Sequence, residues 1–100
     1  MRVVAYNNLK GYGAAHPPAY PSLKRWHAII RAGRWRTMQE VLGEFGNAKS
    51  LNDVRCRFAI HGGNYRLIAA FDFRRQTVYI KFVGTHGEYD KVNALTVSQF

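Results

Sequence analysis

The sequence has 100 residues, which is the size of one domain. Its apolar fraction of 47% argues against a disordered chain, and no run of about 18 apolar residues is present that would span a membrane. A single cysteine, Cys56, excludes an internal disulfide and a cysteine-based zinc cluster. Because the first residues also lack the features of a signal peptide, we expect one domain over residues 1–100 that works in the cytoplasm.

Positive charge is the strongest signal in the composition. Fifteen Lys and Arg residues stand against six Asp and Glu, which gives a formal charge of +9 and a pI near 10.2. Ten of the fifteen are Arg, whose forked guanidinium suits bidentate contacts with phosphate. This balance predicts a polyanionic partner or an acidic binding protein, and it favours nucleic acid over an ordinary basic surface.

The first part of the chain predicts a strand, a weak helix and a stiff connector. Residues 2–6 (RVVAY) have strand propensity, and the two Asn residues that follow favour a turn or a helix cap. A weak helix is expected before Gly11 and Gly13. The segment 16–21 contains three prolines, so it cannot be the interior of a helix.

An amphipathic helix is predicted next, with Ser22 as its N-cap and Gly33 near its end. Its apolar residues recur at helical spacing and form a stripe that faces the core: Leu23, Trp26 and Ile30. Both tryptophans, Trp26 and Trp35, are expected in the core rather than on a base-stacking surface.

A second, shorter helix follows, because Thr37 and Glu40 have the spacing of a capping box. Residues 46–53 (GNAKSLND) are predicted to be a loop. The scattered histidines of this half, His16 and His27, are interpreted as surface residues, and four His without metal-ligand spacing give no reason to expect zinc.

The second half predicts three antiparallel strands joined by two tight turns. In each strand apolar residues alternate with polar ones, and the glycines of residues 61–64 (HGGN) suit the first hairpin. One face should carry the apolar residues Cys56, Phe58, Ile60, Leu67, Ala69, Phe71, Val78, Ile80 and Phe82. The other face gathers Arg55, Arg57, Arg66, Tyr79 and Lys81. Clustered cations are unfavourable without an anion, so we interpret this face as a phosphate-binding surface; an ordinary solvated sheet face is the alternative.

His86 and Tyr89 lie where the last strand ends. His86 stands between the flexible residues Gly84 and Gly87, and Tyr89 follows them. An imidazole titrates near neutral pH and transfers protons, and a phenol beside cations can take part in proton transfer. RNA carries its own nucleophile, the 2′-OH, so a protein that cleaves it needs only proton transfer and charge stabilisation. A His-x-x-Tyr pair is a weak signal by itself.

Two longer stretches resemble the HigB branch of the RelE superfamily. They are residues 63–70 (GNYRLIAA) and residues 79–90 (YIKFVGTHGEYD), within a region of similarity over about residues 54–92. The resemblance implies an α+β, RelE-like fold, with an N-terminal strand and helices packed on an antiparallel sheet of about four strands. It also implies the toxin of a type II toxin-antitoxin system, an endoribonuclease that cleaves messenger RNA on the ribosome.

Site residues and partners follow from the same resemblance. The catalytic set is predicted to be Arg66, Lys81, His86 and Tyr89, and the RNA-binding set to be Arg55, Arg57, Asn64 and Tyr79. Arg66 would steady the scissile phosphate, His86 would act as acid or base, and Asp90 would either orient His86 or cap the terminal helix. The partners implied are messenger RNA, the ribosome and a helix-turn-helix antitoxin of the HigA type, with no cofactor, metal or membrane.

Two other functions stay open from the sequence. One is a RelE-fold toxin without nuclease activity, such as a ParE-like inhibitor of DNA gyrase. The other is a plain RNA-binding module, although the usual aromatic RNP-type patterns are absent.

Overall fold

The computed structural model describes all residues 1–100. The elements in chain order are β1 (Arg2–Val4), α1 (Tyr6–Ala15), a 3-10 turn (Pro17–Ala19), α2 (Tyr20–Ala32), α3 (Met38–Glu44), β2 (Ala48–Ser50), β3 (Arg55–Ile60), β4 (Tyr65–Asp72), β5 (Thr77–Thr85) and α4 (His86–Tyr89).

The strands form one sheet in the order β1-β5-β4-β3-β2, with the helices on one of its faces. This confirms the predicted α+β class. The sheet differs from the predicted one in two respects: it has five strands, and β1 pairs with β5 in parallel. The fifth strand, β2, lies inside the predicted loop 46–53, where Lys49 pairs with Arg57. Its three residues are polar or small, which explains why no strand pattern was visible.

The helix-covered face contains the core. The predicted stripe of α2 is buried, with Leu23 and Ile30 fully enclosed and Trp26 only 3% exposed. Trp35 is also buried, as predicted. Burial raises the pKa of the Cys56 thiol to about 12, because the thiolate would lose its hydration there.

The helix boundaries confirm some sequence signals and correct others. Thr37 caps α3, with its Oγ1 accepting from the Glu40 N–H, and α2 ends before Gly33. Ser22 is not an N-cap, because α2 already begins at Tyr20. Pro21 fits the first turn, where a helix has no use for the missing N–H. Helix α1 continues through Gly11 and ends at Ala15.

A β-bulge in β5 changes which residues face the core. Ile68 pairs with Phe82, whereas the next residue, Ala69, pairs with Ile80, so Lys81 has no partner on β4. The bulge shifts the alternation by one residue. The prediction that Phe82 shares a face with Val78 and Ile80 is therefore wrong: Phe82 lies on the opposite face, and Val83 joins the core instead.

The last ten residues cross the face that the helices leave uncovered. Arg55 Nη1 donates to the carbonyls of Ala94 and Val97, at 3.0 and 2.9 Å. The Gln99 N–H donates to the Lys81 carbonyl, and the Val83 N–H donates to Gln99 Oε1. Gln99 thus pairs with backbone groups of Lys81 and Val83, on either side of Phe82. None of the helices has both the length and the hydropathy that a membrane crossing requires.

Candidate functional site

The sheet face opposite the helices carries three rows of side chains across β3, β4 and β5. We call it the outer face, and strand register assigns each row. The rows are Arg55–Ala70–Tyr79, then Arg57–Ile68–Phe82, then Ala59–Arg66–Gly84. All the predicted cations of this sheet share the outer face, but Arg55 and Arg66 are two rows apart, which is roughly 13 Å along the strands.

Arg66 lies in the row nearest the start of β4, and its guanidinium is held by the backbone. Nη1 donates to the carbonyl of Gly63 and, at 3.4 Å, to that of Tyr65. Gly63 has a φ of +92°, and a Cβ there would lie 3.1 Å from Arg66 Nη1. The turn therefore requires glycine for its conformation and for the close approach of the arginine.

Two guanidinium N–H groups of the outer face are buried without a partner in the protein. They are the Nε groups of Arg57 and Arg66, and both residues are half-buried. Arg57 pairs with Ile68, two residues along β4 from Arg66, so the two side chains are diagonal neighbours. Half-buried cations with unpaired donors bind an anion more strongly than fully solvated ones, because less water must be displaced.

Helix α4 begins directly where β5 ends, and a capping box fixes the junction. Thr85 Oγ1 accepts from the Glu88 N–H at 3.1 Å, and Glu88 Oε1 accepts from the Thr85 N–H at 2.7 Å. The Thr85 hydrogen bond lowers the pKa of Glu88, with smaller contributions from His16 and Lys91. The carboxylate is thus ionised at neutral pH and its position is set by the cap.

His86 is the first residue of α4, and its main chain is tied to the start of β4. Its N–H donates to the Asn64 carbonyl at 3.0 Å. Its side chain is 56% exposed, with Nε2 3.9 Å from Asp90 Oδ1. Arg66 pairs with Gly84, two residues before His86. Asp90 therefore lies where it can orient the imidazole, one of the two roles predicted for it.

Tyr89 turns back over the outer face. Its ring centroid is 6.3 Å from that of Phe82, which stands in the row next to Arg66. The Phe82 ring itself lies over Gly84, since a Cβ on that glycine would come within 2.6 Å of it. Arg66, Tyr89 and the start of α4 consequently meet at one end of the sheet.

The other predicted site residues lie farther from the end that holds Arg66, or at its edge. Tyr79 and Lys81 are half-buried near the middle of β5, with Lys81 Nζ 5.7 Å from the Tyr79 ring centroid. Arg55 is occupied by the C-terminal segment. The Asn64 side chain is exposed beside Arg66. The structure thus brings Arg57, Arg66, His86 and Tyr89 to one end, with Asn64 at its edge.

A comparison with protein families matches residues 19–92 to the HigB toxin model, described as the RelE-like toxic component of a toxin-antitoxin system. The matched region covers most of the chain and contains every predicted site residue. The chain belongs to the HigB toxin family. No curated protein matches the sequence. Membership in this family implies a cognate antitoxin as partner.

Three residues that were not predicted to belong to the site also lie at this end of the HigB-type domain: Tyr12, His16 and Tyr65. The His16 ring stacks on that of Tyr12, with centroids 4.0 Å apart, and it lies 6.0 Å from the Tyr65 ring. His16 is half-buried and not the plain surface residue that the sequence predicted. Its sequence neighbours are alanine and proline, so no local motif indicated a role. No group of three or more His, Cys, Asp or Glu side chains is arranged to hold a metal ion.

Proposed function

We propose that this toxin is an endoribonuclease that cleaves messenger RNA on translating ribosomes, by attack of the RNA 2′-OH on the adjacent phosphodiester. The observation that carries the proposal is the meeting of Arg66, His86 and Tyr89 at one end of the sheet. A guanidinium, an imidazole and a phenol supply the phosphate binding and proton transfer that this reaction requires.

Arg66 has the role of binding the scissile phosphate. Its contacts with the Gly63 and Tyr65 carbonyls fix the guanidinium before substrate arrives, so little reorganisation accompanies the developing charge. Nη2 makes no hydrogen bond within the protein, so it remains a donor for phosphate oxygens, whereas the Nε–H is buried and unpaired. Arg57, diagonal to it, adds a second cation to the same end.

His86 and Tyr89 have the roles of proton transfer and base contact. His86 is exposed enough to reach a substrate, and Asp90 Oδ1, 3.9 Å from Nε2, can orient the ring for donation to the leaving 5′ oxygen. Tyr89 packs its ring on Phe82 and either shares in proton transfer or stacks on a base. Lys81, at the bulge, strengthens the positive potential of the row beside it.

The remaining residues of the predicted RNA-binding set extend the path of the RNA away from the cut. Asn64 stands exposed beside Arg66, and Tyr79 lies two rows further along the outer face. Arg55 contributes its charge from beneath the C-terminal segment.

A second basic surface favours the proposal that the partner is a large RNA assembly such as the ribosome. At the opposite end of the sheet Arg2, Arg31 and Arg34 line an open hollow of about 500 Å³ together with the N-terminal residue, and no carboxylate lines it. Further exposed arginines surround the hollow: Arg36, Arg74 and Arg75. Among these guanidiniums only that of Arg75 forms an ion pair, with Nη1 3.9 Å from Asp72 Oδ2. This far end, roughly 20 Å from Arg66 along β4, offers charge without proton-transfer groups.

The antitoxin of the pair, a helix-turn-helix protein of the HigA type in this proposal, would neutralise the toxin by covering basic surface or by blocking ribosome entry. The toxin itself would act in the cytoplasm, where the ribosomes are.

The proposal is tested by adding purified toxin to translating ribosomes and mapping the cuts in the messenger RNA. Wild type is expected to cut, and Arg66→Ala and His86→Ala are each expected to lose at least about 100-fold in cleavage rate. Lys10→Ala serves as a matched control, because it removes one positive charge from an exposed position of α1 outside the site.

Intact messenger RNA with wild-type toxin would contradict the proposal. Inhibition of DNA supercoiling by the same preparation would then indicate a gyrase inhibitor. RNA binding without cleavage or gyrase inhibition would indicate a plain RNA-binding module.

A further inference from the structure

Two of the four histidines lie beside the Tyr65 ring, at the end of the sheet that carries the candidate site, and a third, His86, begins α4 at the same end. The rings of His16 and His61 lie 6.0 and 6.3 Å from the Tyr65 ring. His86 follows Thr85, the strand partner of Tyr65. Because side chains alternate along β4, Tyr65 faces the helices and Arg66 the outer face, so His16 reaches this end of the sheet from the helix side, near Glu88 of α4.

His16 is the most firmly oriented of the three. Its Nδ1 lies 3.2 Å from the Tyr12 carbonyl, and its ring is stacked on the Tyr12 ring at an interplanar angle of 11°. A carbonyl only accepts, so Nδ1 carries the hydrogen and donates it. Nε2 is then left with a free lone pair. A backbone carbonyl that fixes one ring nitrogen is a common way to present the other as a base.

A carboxylate lies near His16 on the neighbouring element α4. The pKa of the Glu88 carboxyl is lowered mainly by its hydrogen bond from Thr85, and His16 lies near enough to add to that effect. Its other neighbours are the rings of Tyr12 of α1 and Tyr65 of β4. Burial raises the pKa of Tyr12 to about 12, with added contributions from Glu88 and Tyr65.

His61 lacks these features. It is exposed in the turn before β4, it has a φ of +52°, and its ring makes no hydrogen bond within the protein. His27 is oriented by a stack on Tyr6, with centroids 3.9 Å apart, but it lies on α2 and touches none of the rings around Tyr65.

We propose that His16 is a second acid–base residue of the site, and that its Nε2 accepts the proton of the attacking 2′-OH. This role depends on the proposed nuclease activity. As the O2′–P bond forms, the proton moves from O2′ to His16 Nε2. As the P–O5′ bond breaks, the protonated His86 donates a proton to O5′. The products are a 2′,3′-cyclic phosphate and a 5′-OH, and exchange with water returns each imidazole to its first protonation state.

The experiment compares His16→Asn with wild type on ribosomes programmed with a short messenger RNA that carries the mapped cut site. Asn retains an N–H that can donate to the Tyr12 carbonyl but has no group at the Nε2 position. We expect cleavage to fall by about 100-fold or more. His27→Gln is the matched control, a second half-buried histidine stacked on a tyrosine of α1, and it should stay within about threefold of wild type.

A second substrate separates the base from the acid. When sulfur replaces the bridging 5′ oxygen at the cut, the leaving group needs no proton. His86→Ala should then regain most of the wild-type rate, whereas His16→Asn should remain slow, because the 2′-OH still has to lose its proton.

Folding is checked by circular dichroism and thermal melting of each variant. If His16→Asn is too unstable to assay, His16→Gln takes its place with the same expectation. Cleavage by the folded variant within about threefold of wild type would overturn the role of His16 and leave the nuclease proposal intact. Rescue of the His16 variant by the sulfur substrate would also overturn it, since His16 would then serve the leaving group. If wild type itself does not cut, the nuclease proposal fails, and the role of His16 fails with it.

Discussion

The two ends of the sheet are both basic, but they are built differently. At the end that holds Arg66, the arginines are half-buried, Arg66 is held by backbone carbonyls, and histidine and tyrosine lie at the same end. At the far end, around Arg31 and Arg34, the guanidiniums are exposed and no imidazole is present. From this difference we expect that the proposed cleavage depends on the geometry of the side chains at the first end. Ribosome binding at the second end should depend on charge alone. Each prediction below tests that division.

The largest effect is expected from Arg66→Lys. Lysine keeps the positive charge but loses the forked donors and the contact between Nη1 and Gly63, so the cleavage rate should fall by about 100-fold. Arg34→Lys, the same exchange at the far end, should change the rate and ribosome affinity by less than about twofold. Equal losses in rate from the two substitutions would abolish the distinction between the ends.

A large effect on stability is expected from Gly84→Ala. The new methyl group would lie within 2.6 Å of the Phe82 ring and 3.1 Å from Glu88 Oε1, so both side chains must move. Overpacking of this kind costs about 1–3 kcal/mol in the free energy of unfolding, and it should lower cleavage as well. Gly43→Ala in α3 has open space around it and should leave stability unchanged or raise it by up to about 1 kcal/mol. Denaturant unfolding measures both, and a Gly84→Ala protein as stable as wild type would show that this end tolerates repacking.

A moderate effect on binding is expected from the double substitution Arg31→Gln with Arg34→Gln. If the far end contacts phosphates, the slope of log affinity for ribosomes against log salt should become shallower by about 2. Lys10→Gln with Lys24→Gln removes the same charge elsewhere on the helices and should alter the slope less. An identical change in both double variants would mean that net charge, and not the far end, determines the affinity.

The smallest effect is the pH dependence of stability that Glu88 contributes. Its folded pKa lies below the ordinary value of 4.5, so the unfolded chain binds the proton more readily. The stabilisation is therefore complete above pH 4.5 and is lost as the pH falls through the folded value. Glu88→Gln should flatten this part of the stability curve, measured by denaturant unfolding, whereas Glu44→Gln at the end of α3 should not. A curve unchanged by Glu88→Gln would show that the ionisation of Glu88 is not coupled to folding.

Much of the fold followed from periodicity, and the exceptions have local causes. Alternation placed Arg57 and Arg66 on the outer face correctly, because β3 and β4 run without a bulge between them. The same rule misplaced Phe82, because the bulge at Lys81 depends on pairing with β4 and Gln99 that the sequence of β5 does not show.

The site was predicted where its residues are close in sequence and was missed where they are not. The pattern that resembles the HigB branch lies in residues 63–66 and 84–90. Strand pairing brings these two segments together. His16 reaches the same place only because α1 packs beside the end of the sheet, a tertiary contact that neither its flanking residues nor helical periodicity records.

The ends of the cleaved messenger RNA test the central claim most directly. Attack by the RNA 2′-OH must leave a 2′,3′-cyclic phosphate on one fragment and a 5′-OH on the other, and a 2′-deoxynucleotide at the cut must prevent cleavage. Those are the results expected for wild-type toxin on translating ribosomes. Fragments with a 3′-OH and a 5′-phosphate, or normal cutting at the 2′-deoxy position, would contradict it.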